Sequence, residues 1–153
     1  MLVYRKATDN DIENLVKFRS ICLQEINDIC SEDERQKVEI ANQIYFQSAF
    51  ADDSFVAWFA VDDGNIVGTS GLSFYLVPPN AKCPDGKVAY IMNMFTLPAR
   101  RQGIGAELFQ RIVKEAIERG YKKITLNATG MGRLLYEKHG FKNSLDGMIF
   151  YAE

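Results

Sequence analysis

The run Tyr90-Ile91-Met92-Asn93-Met94-Phe95-Thr96-Leu97-Pro98-Ala99-Arg100-Arg101-Gln102-Gly103-Ile104-Gly105-Ala106 joins three kinds of local grammar in one stretch. Val88 to Thr96 is apolar enough for a central strand, buried on both faces. Arg100 to Gly103 breaks that pattern. Ile104, Leu108, Ile112, Val113, Ala116 and Ile117 then recur at three- and four-residue intervals, the stripe of an amphipathic helix. Glu107-Arg111 and Glu115-Arg119 supply i,i+4 pairs on its wet side, and Gly120 supplies a stop. The order strand, glycine turn, helix implies a helix laid back on a sheet.

A helix that starts behind a glycine-containing turn exposes its first N–H groups and the positive end of its dipole. Gly103 and Gly105 present no Cβ there, so a phosphate can approach the amides closely, and Arg100 and Arg101 add positive charge. Two familiar phosphate loops are excluded. The chain lacks G-x-x-x-x-G-K-[ST], and the dinucleotide pattern G-x-G-x-x-G would need glycine where Leu108 stands. A plain strand-to-helix turn with two solvated arginines fits the same spacing.

Working outward, Leu2 to Lys6 reads as a strand, and Thr8 to Asp11 offers caps for a helix whose stripe runs from Ile12 to about Cys30. Ser31-Glu32-Asp33-Glu34 caps a second helix that closes at Asp52-Asp53. Phe55 to Val61 and Ile66 to Leu76 flank Asp62-Asp63-Gly64-Asn65, an antiparallel hairpin. Val77 to Gly86 is a proline- and glycine-punctuated loop that could cap a site. Tyr121 to Ala128 reads as a strand, Thr129 to His139 as a short helix, and Phe141 to Glu153 as two strands turning near Asp146-Gly147. The aromatic residues Phe18, Trp58, Phe74 and Tyr75 read as core. One α+β domain, a mixed sheet with helices packed on it, accommodates this order.

The composition narrows the class. At 153 residues with 47% hydrophobic and 25% charged side chains, a single domain with its own core is expected. Twenty acidic against 18 basic residues argue against a nucleic-acid or anionic-membrane coat. No apolar run approaches the ~20 residues of a membrane span, and the N-terminus lacks a signal-peptide core, so a soluble, cytoplasmic protein is expected. Cys22, Cys30 and Cys83 form no C-x-x-C pair and signal neither disulfides nor a metal site. The single histidine, His139, precedes the capping Gly140 and suits a helix C-terminus better than catalysis. Acid–base work is left to Tyr, Glu, Asp, Cys or water.

Arg100-x-x-Gly103-x-Gly105, the strand Tyr90 to Pro98, and Leu135-Tyr136-Glu137-Lys138-His139-Gly140-Phe141 together resemble the Gcn5-related N-acetyltransferase (GNAT) superfamily, in the family's order of elements. The resemblance implies a central twisted, mixed but mostly antiparallel sheet of about seven strands flanked by about four helices. It implies acetyl-coenzyme A as co-substrate, its pyrophosphate held by the segment Arg100, Arg101, Gln102, Gly103, Ile104, Gly105 and Ala106. Main-chain groups of Met94, Phe95 and Thr96 would bond the pantetheine arm, with one N–H aimed at the thioester oxygen. Asn127 stands where family members carry an asparagine that bonds that arm or the tyrosine. Tyr136 stands where the family keeps its general acid for the departing thiolate, and a phenol of pKa near 10 is protonated at neutral pH.

The residues also speak without the resemblance. Gly132 lies one turn before Tyr136, and helical side chains lean toward the N-terminus, so the ring should pass over Gly132. That arrangement leaves room for a ligand or simply packs a tyrosine on the sheet. Where many family members carry a glutamate base, this chain has Asn93, which cannot accept the proton and would orient substrate or water. A remote carboxylate, Glu25 or Asp28, could complete a relay. Arg19 interrupts the apolar stripe of the first helix; because the resembled family often contacts substrate with this helix, the resemblance implies that it could hold a substrate carboxylate, while snorkelling or a structural ion pair fits the residue as well. The acidic stretch from Ser31 to Glu34 could attract a cationic amine or be solvated surface.

The resulting expectation is transfer of an acetyl group to a primary amine of a small molecule or peptide, by direct attack in a ternary complex without a metal. No nucleic-acid or membrane partner is expected; homodimers are frequent in the family. Two other readings use the same motifs: a coenzyme A binding or acyl-sensing module without transfer, suggested by Asn93, and a phosphate-binding domain for another nucleotide.

Overall fold

The computed structural model describes residues 1–100, 103–144 and 146–153. Its elements are β1 (Leu2–Lys6), α1 (Ile12–Glu25), α2 (Glu32–Ala51), β2 (Phe55–Asp62), β3 (Asn65–Leu76), β4 (Lys87–Thr96), α3 (Ile104–Glu118), β5 (Lys123–Leu126) and α4 (Arg133–Lys138). The sheet runs β1-β2-β3-β4-β5, antiparallel throughout except for the parallel pair β4–β5. Period-two alternation along β2 sorts the two faces. Phe55, Ala57 and Phe59 pack with Leu15, Phe46 and Ala49 under α1 and α2, whereas Val56 joins Leu72, Phe109, Ile112 and Tyr136 under α3 and α4.

Local chemistry explains where the elements begin. The Ser31 Oγ accepts the Glu34 N–H at 3.2 Å, and the Glu34 carboxylate accepts the Cys30 N–H at 2.7 Å, so the start of α2 is tied from both sides. Asp63 and Gly64, at φ of 48° and 82°, form the turn of the β2–β3 hairpin. Arg5 grips Asp11 with both terminal nitrogens at 2.8 Å, fastening β1 to the turn before α1. That hydrogen-bonded pair holds the Asp11 carboxyl down at about 2.

Four expectations are corrected. The first helix ends at Glu25 rather than near Cys30, because Asn27 takes a left-handed conformation at φ 58° and Asp28 donates to the Leu23 carbonyl at 2.9 Å. Asparagine tolerates that region, and the reversal buries Ile29. The sheet has five strands rather than about seven: among the described residues of 141–153 there is no strand. Lys142-Asn143-Ser144 offers no alternating apolar face to set a register, and Met148, Ile149, Phe150 and Tyr151 are exposed. A cleft of about 660 Å³ lies between the outer edge of β5 and residues 141–144. The last helix begins at Arg133 rather than Thr129, because Gly132 turns back on the Thr129 carbonyl. Tyr75, expected in the core, is 46% exposed near the end of β3.

Candidate active site

The site forms where β4 loses one neighbour. β4 pairs with β5 only from Val88 to Ile91, opposite Lys123 to Leu126, while its pairing with β3 continues to Thr96. At Asn93 the backbone takes φ 55° and the β3–β4 register slips between Thr69 and Gly71, which is the signature of a bulge. The slip changes which side chains face which layer. Ala89, Ile91 and Met94 face α3 and α4, but Phe95 turns the other way, 6.0 Å from the Phe18 ring of α1. Leu97 donates to the Val67 carbonyl, so by alternation the main-chain N–H and C=O of Thr96 point away from β3, into the gap that β5 leaves.

Two cavities occupy that gap. One, of about 300 Å³, is lined by Met94, Phe95 and Thr96 on β4, by Gly103, Gly105 and Ala106 at the start of α3, and by Met131, Gly132, Leu135 and Tyr136. The other, of about 230 Å³, lies between α1 and the β4–β5 fork and is lined by Arg19, Cys22, Tyr90, Asn93, Asn127 and their neighbours. Glu25, Met94, Thr129 and Tyr136 line both, so the cavities meet at those four residues.

The larger cavity has the build of an anion cradle. Gly103 precedes α3 at φ 78°, a conformation that side chains resist, and a Cβ placed there would meet open space. A Cβ on Gly105 would meet only the Thr96 hydroxyl, at 3.6 Å. The first-turn amides of a 15-residue helix therefore face the cavity with little between them and a ligand. Ile104 turns its side chain into the core instead. Arg100 lines neither cavity: its guanidinium lies 2.6 Å from the Asp62 carboxylate at the end of β2. Arg101 and Gln102 lie outside the described residues.

Tyr136 stands over Gly132 as the helical geometry requires. A Cβ on Gly132 would come within 2.7–2.8 Å of the Tyr136 ring and hydroxyl, so only glycine leaves the ring this position. The ring also packs 5.0 Å from Phe109, and burial raises its phenol above the ordinary value. A tyrosine in this state stays protonated at neutral pH and can donate. Asn127 donates to the Tyr90 hydroxyl at 3.1 Å and lines the smaller cavity rather than the larger. His139 lies edge-on to Phe109 with Nδ1 2.8 Å from the Leu135 carbonyl, a packing role at the end of α4.

The smaller cavity brings together two residues that sequence spacing kept apart. Arg19 Nη1 donates to Asn93 Oδ1 at 2.9 Å, across 74 positions. Cys22 lines the same wall, and burial pushes its thiol up to about 11, too high for a thiolate at neutral pH. Cys22, Thr129 and Tyr90 were not singled out by the sequence. For Cys22 a signal existed: it lies three residues from Arg19 and four before Ile26, on one helical face. Neither the loop from Val77 to Gly86 nor the acidic stretch from Ser31 to Glu34 lines either cavity.

Comparisons with known proteins agree on the architecture. The model of the acetyltransferase (GNAT) family matches residues 23–141. A predicted acetyltransferase from Clostridium acetobutylicum, solved with acetyl-CoA, is 32% identical, with a TM-score of 0.89 over 99% of this chain and 96% of that one. A GCN5-related N-acetyltransferase from Ralstonia eutropha JMP134 is 25% identical, also with a TM-score of 0.89, over the full length of both chains. The aminoglycoside N-acetyltransferase AAC(6')-Iy, solved in complex with CoA, shares the fold at 15% identity and a TM-score of 0.72, over 100% of this chain and 95% of that one. No curated protein matches the chain.

Proposed function

The chain belongs to the acetyltransferase (GNAT) family, and on that premise we propose that it transfers the acetyl group of acetyl-coenzyme A to the primary amine of a small molecule, by direct attack in a ternary complex. The observation that carries this reading is the meeting of two cavities at Tyr136 and Glu25. One cavity has a helix start lined by Gly103 and Gly105, which suits a pyrophosphate; the other is small, bordered by α1 and lined by both polar and apolar groups. A donor and an acceptor held in adjoining cavities need no large motion to react.

The co-substrate supplies a thioester whose carbonyl carbon the amine attacks. Gly103, Gly105 and Ala106 hold the phosphates through main-chain N–H groups, and Arg101, by its place in the sequence, adds charge. Thr96 presents main-chain groups to the arm and to the carbonyl oxygen, where charge develops, and Met94 and Phe95 line the arm beside it. Glu25 takes the proton that the amine gives up, directly or through one water. As the C–N bond forms and the C–S bond breaks, Tyr136 gives its phenolic proton to the sulfur. Glu25 is preferred to Asp28 as base because it lines both cavities, whereas Asp28 lines neither. Asn93 positions substrate and Arg19 rather than moving a proton.

A coupled assay for free thiol over a broad amine panel tests this reading, run beside equilibrium binding of acetyl-coenzyme A. Thiol release that depends on the amine is the expected result. Tight binding with no release for any amine would leave a coenzyme A sensor in its place, and equal competition by ATP or NAD would point to another nucleotide.

A further inference from the structure

We propose that the acceptor is a small amine that also carries a carboxylate, and that Arg19 is the residue that reads the carboxylate; the inference rests on the transfer reading above and names its substrate class. The first observation is an imbalance of charge. Arg5, Arg35, Arg100, Arg111 and Arg119 each have a carboxylate within 4 Å. Arg133, near the protein surface, bonds Asn143. Arg19 is half-buried in a cavity wall, and among the described residues no carboxylate lies within that distance of it.

A guanidinium partly removed from water without a counterion carries an unrelieved desolvation cost. Its hydrogen-bond partner is the neutral Asn93 amide, which satisfies one donor of five. Asn93 is itself 6% exposed and sits on the left-handed bulge. Without the bulge, continued alternation would send residue 93 to the side of Ala89 and Ile91, under α3 and α4; with it, the amide turns toward α1 and holds the guanidinium in place. Arginine so positioned matches a carboxylate with two parallel N–H donors.

The cavity supplies polarity as well as charge. Glu25 lines both cavities, whereas Arg19 lines only the smaller one. An acceptor whose carboxylate rests on Arg19 thus extends its amine toward Glu25, Tyr136 and the thioester. Leu23, Ile26, Ile91 and Met92 form apolar walls between, and about 230 Å³ limits the occupant to amino-acid dimensions.

The test pairs each of a set of α- and ω-amino acids with its carboxamide, which keeps the amine and removes the anion. Wild type should favour the carboxylate member by about tenfold or more in kcat/KM at its best chain length, the worth of a charge-assisted hydrogen bond. Arg19→Met should erase that ratio through KM, while Arg19→Lys, with charge but no fork, keeps part of it. Acetyl-coenzyme A binding is measured on each variant to show that the fold is intact. A wild-type ratio near one, or an equal ratio in Arg19→Met, overturns the inference. If no amine is acetylated the transfer reading fails separately, and calorimetric binding of the same pairs to the coenzyme A complex decides the role of Arg19: preference for the carboxylate, lost in Arg19→Met, supports it, and equal binding overturns it.

Discussion

From Lys87 to Ile91, β4 has a strand on either side: β3 from Lys87 onward and β5 from Val88. From Met92 to Thr96 it keeps β3, loses β5, and takes a bulge at Asn93. Both halves are largely apolar, and neither has an exposed residue. The closed half has its main-chain groups used up in ladders, and beyond holding the core it lends the site only the side chains of Tyr90 and Ile91. The open half has no β5 beside it, and that edge faces the two cavities. Function in this fold thus comes from a local failure of pairing, which a sheet can tolerate only because the rest of the same strand is fully paired.

If that division of labour holds, damage on the closed side should cost stability and leave chemistry alone. Leu72 stands opposite Ile91 on β3 and is fully buried among Phe109 and Ile112. Leu72→Ala should cost about 3 kcal/mol of unfolding free energy, from lost burial and the cavity left behind. Denaturant unfolding gives that figure directly. At temperatures where the variant stays folded, kcat/KM should remain within about twofold of wild type, since no lining residue changes. A large loss of activity in a folded variant would mean that the halves are not separable.

The complementary damage is Tyr136→Phe. The ring keeps its place over Gly132 and against Phe109, so stability should move by no more than about 0.5 kcal/mol. Loss of the proton donor should lower kcat on the order of 100-fold, with acetyl-coenzyme A affinity nearly unchanged. An unaltered kcat would remove Tyr136 from the mechanism.

Charge follows the same division. At the β1 edge of the sheet, away from the fork, Asp11 is matched by Arg5, which holds its carboxyl at about 2 against an ordinary 3.8. A lowered carboxyl stabilises the fold above the unfolded value and loses that contribution as pH falls. Acid titration should therefore remove up to about 2 kcal/mol between roughly pH 4 and pH 2, less whatever solvent screens at the half-exposed Arg5. Arg5→Met should flatten that slope. Arg19, beside the fork, has no carboxylate within 4 Å among the described residues, so Arg19→Met should leave the acid slope as it is in wild type.

Much of this was legible in the sequence. The strand, glycine turn and helix around residues 90–106, the hairpin at Asp63-Gly64 and the Gly132–Tyr136 pairing follow from period, dipole and steric rules that act within a few residues. The bulge did not follow, because Asn93 fits a strand pattern either way and only the slip against β3 reveals it. The bond from Arg19 to Asn93 and the position of Glu25 at the junction depend on where α1 lies on the sheet, which no local rule sets. The end of α1 was misread for a related reason: Ile29 and Cys30 continue the helical spacing, but Asn27 turns the chain back first. Residues 141–153 show the opposite failure, where turn chemistry at Asp146-Gly147 suggested a hairpin whose polar first arm has no face to bury.

The smallest effect is the most direct probe of the two halves, because it asks for a reversal of sign along one strand. Alanine normally exceeds glycine in a strand interior, where glycine carries the larger entropic cost of ordering. At Ala89, buried in the closed half, substitution by glycine should cost about 1 kcal/mol. At residue 93 the backbone is left-handed, a region that alanine resists and glycine enters freely. Asn93→Ala and Asn93→Gly both lose the bond to Arg19, so their difference isolates the backbone, and the glycine variant should be the more stable by about 1 kcal/mol. Urea unfolding of the three variants reads both differences. The same order at both positions would mean that residue 93 lies in regular strand, and the opening of the sheet would then need another cause.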